Sequence, residues 1–188
     1  MKGILFVISA PAGTGKTTLV DMLAREFEHV ERSISYTTRE PRNNEIEGFD
    51  YFFISKEEFE EKKKDLLEHE EVFGEMYGSS KTFIEDRLNN GKHVIMVIDT
   101  HGAMNIKKKK ECTTIFLSPP NIDELESRLQ GRETESKKDI QMRLKRAKKE
   151  MEMIGNYDYH IVNNDLLTAY DVLRGIIYAE EHKTKRKG

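Results

Sequence analysis

The chain has 188 residues, 37% of them apolar and 35% charged, with a formal net charge of −3; that length fits one sizeable core, and the slightly acidic balance argues against sequence-independent binding to nucleic acid. The single cysteine, Cys112, excludes an internal disulfide and points to a reducing compartment. No stretch approaches the roughly 20 apolar residues of a membrane span, and Met1-Lys2-Gly3 leads straight into a short apolar run rather than a cleavable leader, so the reading is of a cytoplasmic protein with no membrane partner.

In chain order, Ile4 to Ile8 reads as a buried strand, unbroken by polar residues as central parallel strands are. From Lys16 onward, Leu19, Leu23 and Phe27 recur at helical spacing. Residues 33 to 79 are rich in Arg, Tyr, Glu and Gly and break the pattern. They hold short strand-like pieces at Ser33 to Thr37 and Tyr51 to Ile54 and a charged helix near Lys56 to Leu66. A helix from Lys81 to Asn90 precedes a second buried run, His93 to Ile98, which ends in Asp99. Thr113 to Leu117 is a third strand, stopped by Pro119-Pro120. A helix over Ile122 to Leu129 leads into "QGRETESKK", residues 130 to 138, which is almost without apolar content and reads as a loop or lid. A helix over Asp139 to Met153, a strand over Tyr159 to Val162 and a helix over Leu166 to Glu181 complete the chain. Strands alternating with helices imply a parallel sheet with helices on both faces.

The junction after the first strand is "SAPAGTGKTT", Ser9 to Thr18. A Gly-rich turn between strand and helix aims successive backbone N–H groups into one concavity, and the helix N-terminus adds partial positive charge there. That is a cradle for phosphate oxygens. The P-loop pattern G-x-x-x-x-G-K-S/T ends here in Gly15, Lys16 and Thr17, with Ala10 in the first glycine position. In such a loop the lysine reaches the β- and γ-phosphates and the threonine hydroxyl takes Mg²⁺. The expected triphosphate site is therefore Ala10, Pro11, Ala12, Gly13, Thr14, Gly15, Lys16, Thr17 and Thr18.

The lobe that follows carries "SISYTTREPRNNEIEGFDYFF" and "LLEHEEVFGEMYGSS". With the late I-V-N run, these stretches resemble the guanylate kinases from Ile4 to about Glu181. The resemblance implies a P-loop NTPase-like α/β fold with an inserted GMP-binding lobe and a short lid. It implies a core of about residues 1–32, 80–127 and 144–188, a lobe of about 33–79 and a lid of about 128–143. It also implies transfer of a phosphoryl group from ATP, with Mg²⁺, to GMP, and to dGMP as well. Arg39, Arg42, Tyr51 and Tyr77 would surround the GMP phosphate, since arginine forks pair bidentately with phosphate oxygens, and Glu45 would hold the arginines in place. Glu68 and Asp99 would accept from the N–H donors of guanine, with Ser35 and Ser79 as small hydroxyl contacts. Asp99 has a second reading as a carboxylate near Mg²⁺, because it ends an apolar strand; the family's D-x-D is here Val97-Ile98-Asp99. Ser79 and Ser80 are both candidates for the N-cap before Lys81. Arg128, Arg132 and Arg143 match the arginines that close over the transferring group, with Glu133 where the family often has glycine, and Asn163 sits where the ATP nucleoside is met. Lys107 to Lys110 read as following a helix. Two other readings stay open: a P-loop kinase of similar shape acting on another phosphorylated small molecule, and a non-catalytic scaffold of the same fold. Oligomeric state is not legible.

Overall fold

A computed structural model describes residues 2–42, 45–72, 74–131 and 137–184. Its main sheet contains five parallel strands in the order β2-β7-β1-β8-β9, comprising β1 (Leu5–Ser9), β2 (Val30–Arg32), β7 (His93–Val97), β8 (Thr113–Ser118) and β9 (Tyr159–Val162). The uninterrupted apolar run of β1 follows from burial on both faces. Ile4, Phe6 and Ile8 join Leu19 and Leu23 of α1 (Lys16–Glu26) and Leu173 and Ile177 of α7 (Leu166–Glu181) in one layer. Leu5 and Val7 join Ile84 and Leu88 of α3 (Lys81–Asn89) and Ala103 and Ile106 of α4 (Thr100–Lys109) in the other.

A second sheet of four strands has the order β4-β3-β6-β5, with β3 (Ser35–Thr37), β4 (Tyr51–Phe53), β5 (Leu66–Val72) and β6 (Glu75–Ser80). Its register places Tyr51, Ser35, Ser79 and Glu68 in one row across the four strands, and Phe53, Thr37, Tyr77 and Glu70 in the next. Residues directly opposite one another share a face. All eight therefore share one face. The other face carries Tyr36 and Phe52 in contact, and Gly78, where a Cβ would come within 3.0 Å of the Phe59 ring. Phe59 is the buried residue of α2 (Lys56–Lys62), which Ser55 and Glu58 open with a capping box. A short 3-10 turn, Lys63–Asp65, links α2 to β5.

The remaining helices, α5 (Ile122–Gln130) and α6 (Lys137–Met151), pack on each other through Leu125, Leu129, Ile140 and Ala147. The structure departs from the sequence reading in two places here. Residue 130 belongs to α5, and Lys137 and Lys138 open α6, so helix occupies both ends of the stretch read as a loop. Lys107 to Lys109 form the last turn of α4 rather than following it, where cations meet the negative end of the helix dipole. Arg132 and Glu133 lie outside the described residues.

At the opposite ends of the main-sheet strands from the Gly-rich loop, Glu181 of α7 meets two imidazoles, His29 at 2.7 Å and His93 at 3.0 Å. The Ile4 N–H donates to Nδ1 of His93 at 3.1 Å, so Nε2 of that ring carries the proton and donates to Glu181. This tautomer makes the trio a polar staple between helix and sheet, not a set of metal ligands.

Leu23 has no exposed surface and stands between α1, α7 and the sheet. Leu23→Ala is expected to lower the unfolding free energy by about 2–5 kcal/mol in a urea titration, where a surface position would change it by under about 0.5 kcal/mol.

Candidate functional site

A cleft of about 400 Å³ lies between the carboxyl ends of the main-sheet strands, the shared face of the small sheet, and α6. At one wall the chain leaves β1 into the Gly-rich loop. Gly13 and Gly15 have φ near +88° and +87°, values that side chains rarely tolerate, and Gly15 stands directly before the first turn of α1. Ala10, Ala12, Gly13, Gly15, Lys16, Thr17 and Thr18 line the cleft. Pro11 and Thr14 lie beneath the loop: both are buried, and the Thr14 hydroxyl donates to the Pro11 carbonyl at 2.7 Å. Lys16 Nζ donates to the Ala10 carbonyl at 3.4 Å, which lays the ammonium back across the loop.

Asn163 is also beneath the loop. Only 4% of it is exposed, and its amide donates to the Thr14 carbonyl at 2.7 Å. A Cβ at Gly15 would come within 2.9 Å of the same amide nitrogen. In this structure, then, Asn163 braces the loop from below. Arg128 pairs with Glu124 at 3.0 Å on α5.

On the small sheet the row–column register assembles an anion corner from residues far apart in sequence. Arg39 donates through Nη2 to both Glu45 oxygens at 2.8 and 2.9 Å and through Nε to the Tyr77 hydroxyl at 3.2 Å. Its guanidinium also lies 5.5 Å from the Tyr51 ring centre. Burial opposes its charge, but the bonds to Glu45 and Tyr77 outweigh it and raise its pKa. Glu45 also accepts from the Arg42 backbone N–H at 2.8 Å, so a single carboxylate fixes one arginine by its side chain and the other by its backbone. Burial would push the Glu45 carboxyl up, yet these bonds hold it below its usual range. Arg42, Glu45, Tyr51 and Tyr77 line the cleft.

Deeper in the cleft, Ser79 donates to Glu68 Oε1 at 2.7 Å and lies 3.2 Å from the Ser35 hydroxyl. A hydroxyl has one proton. With Ser79's directed at Glu68, Ser35 donates to Ser79, and both protons point toward the carboxylate. Ser80, the neighbour, caps α3 by accepting from the Phe83 N–H at 3.2 Å. The two serines thus divide the candidate roles between them. Burial, reinforced by the charge of Asp99, raises the Glu68 carboxyl to about 7. Asp99 is the N-cap of α4, accepting from the Gly102 N–H through Oδ1 at 2.7 Å.

Several cleft residues have no counterpart in the sequence reading. Arg146 donates to Glu150 at 2.7 Å and reaches Asp99 Oδ2 at 3.5 Å. It lies one turn beyond Arg143, which also lines the cleft, and the three-residue spacing on one helix was the available signal. Burial raises the Glu150 carboxyl against the pull of Arg146. Glu70 and Val72 follow Glu68 at the strand period of two and line the same wall.

The whole arrangement sets a Gly-rich loop with its lysine and an arginine-rich corner around one pocket, with paired carboxylates and hydroxyls at the far end. Residues 2–180 match the guanylate kinase family model. The chain belongs to the guanylate kinase family. It is 50% identical over 188 residues to a guanylate kinase of Protochlamydia amoebophila (strain UWE25), covering 99% of this chain and 95% of that one. It is 46% identical over 182 residues to one of Chlamydia trachomatis serovar D, covering 95% and 89%. Among solved structures, the crystal structure of guanylate kinase from Anaplasma phagocytophilum superposes with a TM-score of 0.81 at 34% identity, covering 98% of this chain and 89% of that one. The fold is the α/β P-loop NTPase fold, and no described helix is long and apolar enough to cross a membrane.

The raised Glu68 carboxyl has a consequence for stability. Its folded pKa of about 7 lies above its ordinary value of 4.5, so the folded state holds this proton more tightly. The group's contribution is intact below pH 4.5 and is lost as pH rises through 7. Glu68→Gln removes the cost of the buried charge. Its melting temperature relative to the parent is expected to climb between pH 5 and pH 8; a difference that stays constant across that range would contradict the assignment.

Proposed function

We propose a division of labour within the cleft for the family's reaction, the transfer of the γ-phosphoryl group of ATP to GMP to give ADP and GDP. The chain is an ATP:GMP phosphotransferase; the residue roles are the proposal. The observation that supports them is the small sheet's register, which sets Ser35, Ser79 and Glu68 in one row with Tyr51 and sets Tyr77, the partner of Arg39, in the next.

Lys16 and the loop N–H groups of Ala10 to Thr18 receive the ATP phosphates. Arg39, Arg42, Tyr51 and Tyr77, ordered by Glu45, receive the GMP phosphate. Guanine offers N1–H and N2–H₂ as donors beside O6 as acceptor. Glu68 and Asp99 accept from the former, and Ser35, on turning from Ser79, donates to O6. Adenine lacks the N1–H and carries an amine in place of O6, so it leaves buried groups unpaired. The attacking oxygen of GMP is already largely ionised above a second pKa of about 6, so no general base is required. It attacks the γ-phosphorus in line as the bond to the β–γ bridging oxygen breaks, and ADP leaves. Arg143 of α6, Arg128 of α5 and Arg132 neutralise charge on the transferring group. Asn163 serves ATP through the loop it braces.

Thr17 lines the cleft beside Lys16, and an oxygen donor at the mouth of a phosphate cradle suits Mg²⁺, which binds few protein ligands and completes its shell with phosphate oxygens and water. When bound, the ion would supply positive charge to the phosphate oxygens. Closure of the small-sheet lobe and the α5–α6 segment over the cleft would exclude water and limit wasteful hydrolysis. The cytoplasmic reading rests on the lone cysteine, and dGMP use on the guanine-end contacts.

Two measurements test the reading. Lys16→Ala is expected to cut kcat by at least about 100-fold while leaving GMP affinity within about threefold; near-normal ADP release would remove Lys16 from its role. With ATP and Mg²⁺ present, GMP alone of GMP, AMP, CMP and UMP is expected to drive ADP release, with AMP disfavoured by about 10⁴-fold in kcat/KM. Comparable turnover of AMP would favour a kinase of another substrate.

A further inference from the structure

We propose that Gly102 is a specificity-determining position: its missing side chain sets where the guanine-facing oxygen of Glu68 stands. The inference rests on the reading of Glu68 and Asp99 as the guanine-end pair.

Gly102 is buried in the first turn of α4, three residues after the Asp99 cap. Its backbone is helical, with no positive φ to demand glycine. Glycine is among the poorest helix formers and alanine the best, so local structure alone favours a side chain here. What a side chain would meet supplies the reason for its absence. A Cβ at Gly102 would lie 3.1 Å from Glu68 Oε2, 3.3 Å from the Ile98 Cδ1 and 3.4 Å from Asp99 Oδ1. Two of those three atoms are carboxylate oxygens of the proposed base-reading pair.

Glu68 has little freedom to retreat. Its other oxygen, Oε1, accepts from Ser79 at 2.7 Å, and Ser79 is fixed opposite it by the strand register. Oε2 is therefore the oxygen left for a ligand, and it stands 3.1 Å from where a Cβ of residue 102 would be. The same residue's N–H holds Asp99 Oδ1 at 2.7 Å. The N-terminus of α4 thus collects two carboxylates at once, its partial positive charge offsetting their mutual repulsion. A methyl group added at Gly102 would shift Oε2 by a few tenths of an ångström, away from the line of a guanine N–H, without touching the phosphate cradle.

The test is Gly102→Ala in the intact protein, assayed with GMP and ATP and compared with Glu68→Gln. The expected result is an unchanged or raised melting temperature, a KM for GMP about tenfold higher, and a KM for ATP within about twofold of the parent. An unchanged KM for GMP in Gly102→Ala, alongside a raised one in Glu68→Gln, would overturn this inference and leave the guanine-end reading intact. Unchanged values in both variants would overturn that reading too. Equal rises for GMP and ATP would mean a general distortion and would overturn the inference. A fall in melting temperature of more than about 5 °C would do the same, because the argument requires the helix to accept alanine.

Discussion

Glu68 and Asp99 reach the same spot from different sheets, one from the middle of β5 and the other from the end of β7, and both rest against the first turn of α4. Two like charges in a largely buried place repel and lose hydration. The structure answers with directed groups: a hydroxyl from Ser79 on one carboxylate, a backbone N–H from Gly102 on the other, and the helix dipole behind both. The raised Glu68 carboxyl is the residue of that conflict. Such a site has spare accepting capacity and few donors, which is the complement of a purine edge rich in N–H. The rest of the cleft supplies the opposite electrostatics, with Lys16, Arg42, Arg143 and Arg146 along its walls.

The same economy of parts holds the cationic groups. Glu45 orients two arginines by two different routes. Arg146 links α6 to the Asp99 cap while also engaging Glu150, so the helix that carries Arg143 is tied to the carboxylate end of the pocket. Asn163 holds the Gly-rich loop by donating to the Thr14 carbonyl, and its amide stands close to Gly15, whose φ of +87° already disfavours a side chain. Each is a buried or half-buried polar contact that orders a group facing the cleft rather than touching the ligand space alone.

The parts of this design that could be read from sequence were those with a strong local signature. β1 and β8 are buried on both faces, β9 is a short edge strand that alternates exposed His160 and Val162 with buried Ile161, and α7 has a long, well-spaced apolar stripe, so their positions are legible to within a residue or two. β2 is three residues long and two of them are Glu31 and Arg32, which carry no strand signal. β5 reads "LLEHEEV" and looks like a solvated acidic face, but its alternation of half-buried and exposed residues turns Glu68, Glu70 and Val72 toward the cleft. The Gly-rich turn from β1 into α1 was legible because its signature is local. The partnership of Ser35, Ser79 and Glu68 arises from strand register, which no short window of sequence contains, and came instead from resemblance to a family. The brace made by Asn163 and the link made by Arg146 are tertiary contacts across 149 and 47 residues, beyond any local pattern.

If the paired carboxylates read the N–H edge of the purine, calorimetry must separate GMP from IMP, which differs by the loss of the 2-amino group. With the ATP-free protein at pH 8, where Glu68 is ionised, IMP is expected to bind about 10–100-fold more weakly, the loss expected for hydrogen bonding to a charged acceptor. Equal affinities for the two nucleotides would contradict it.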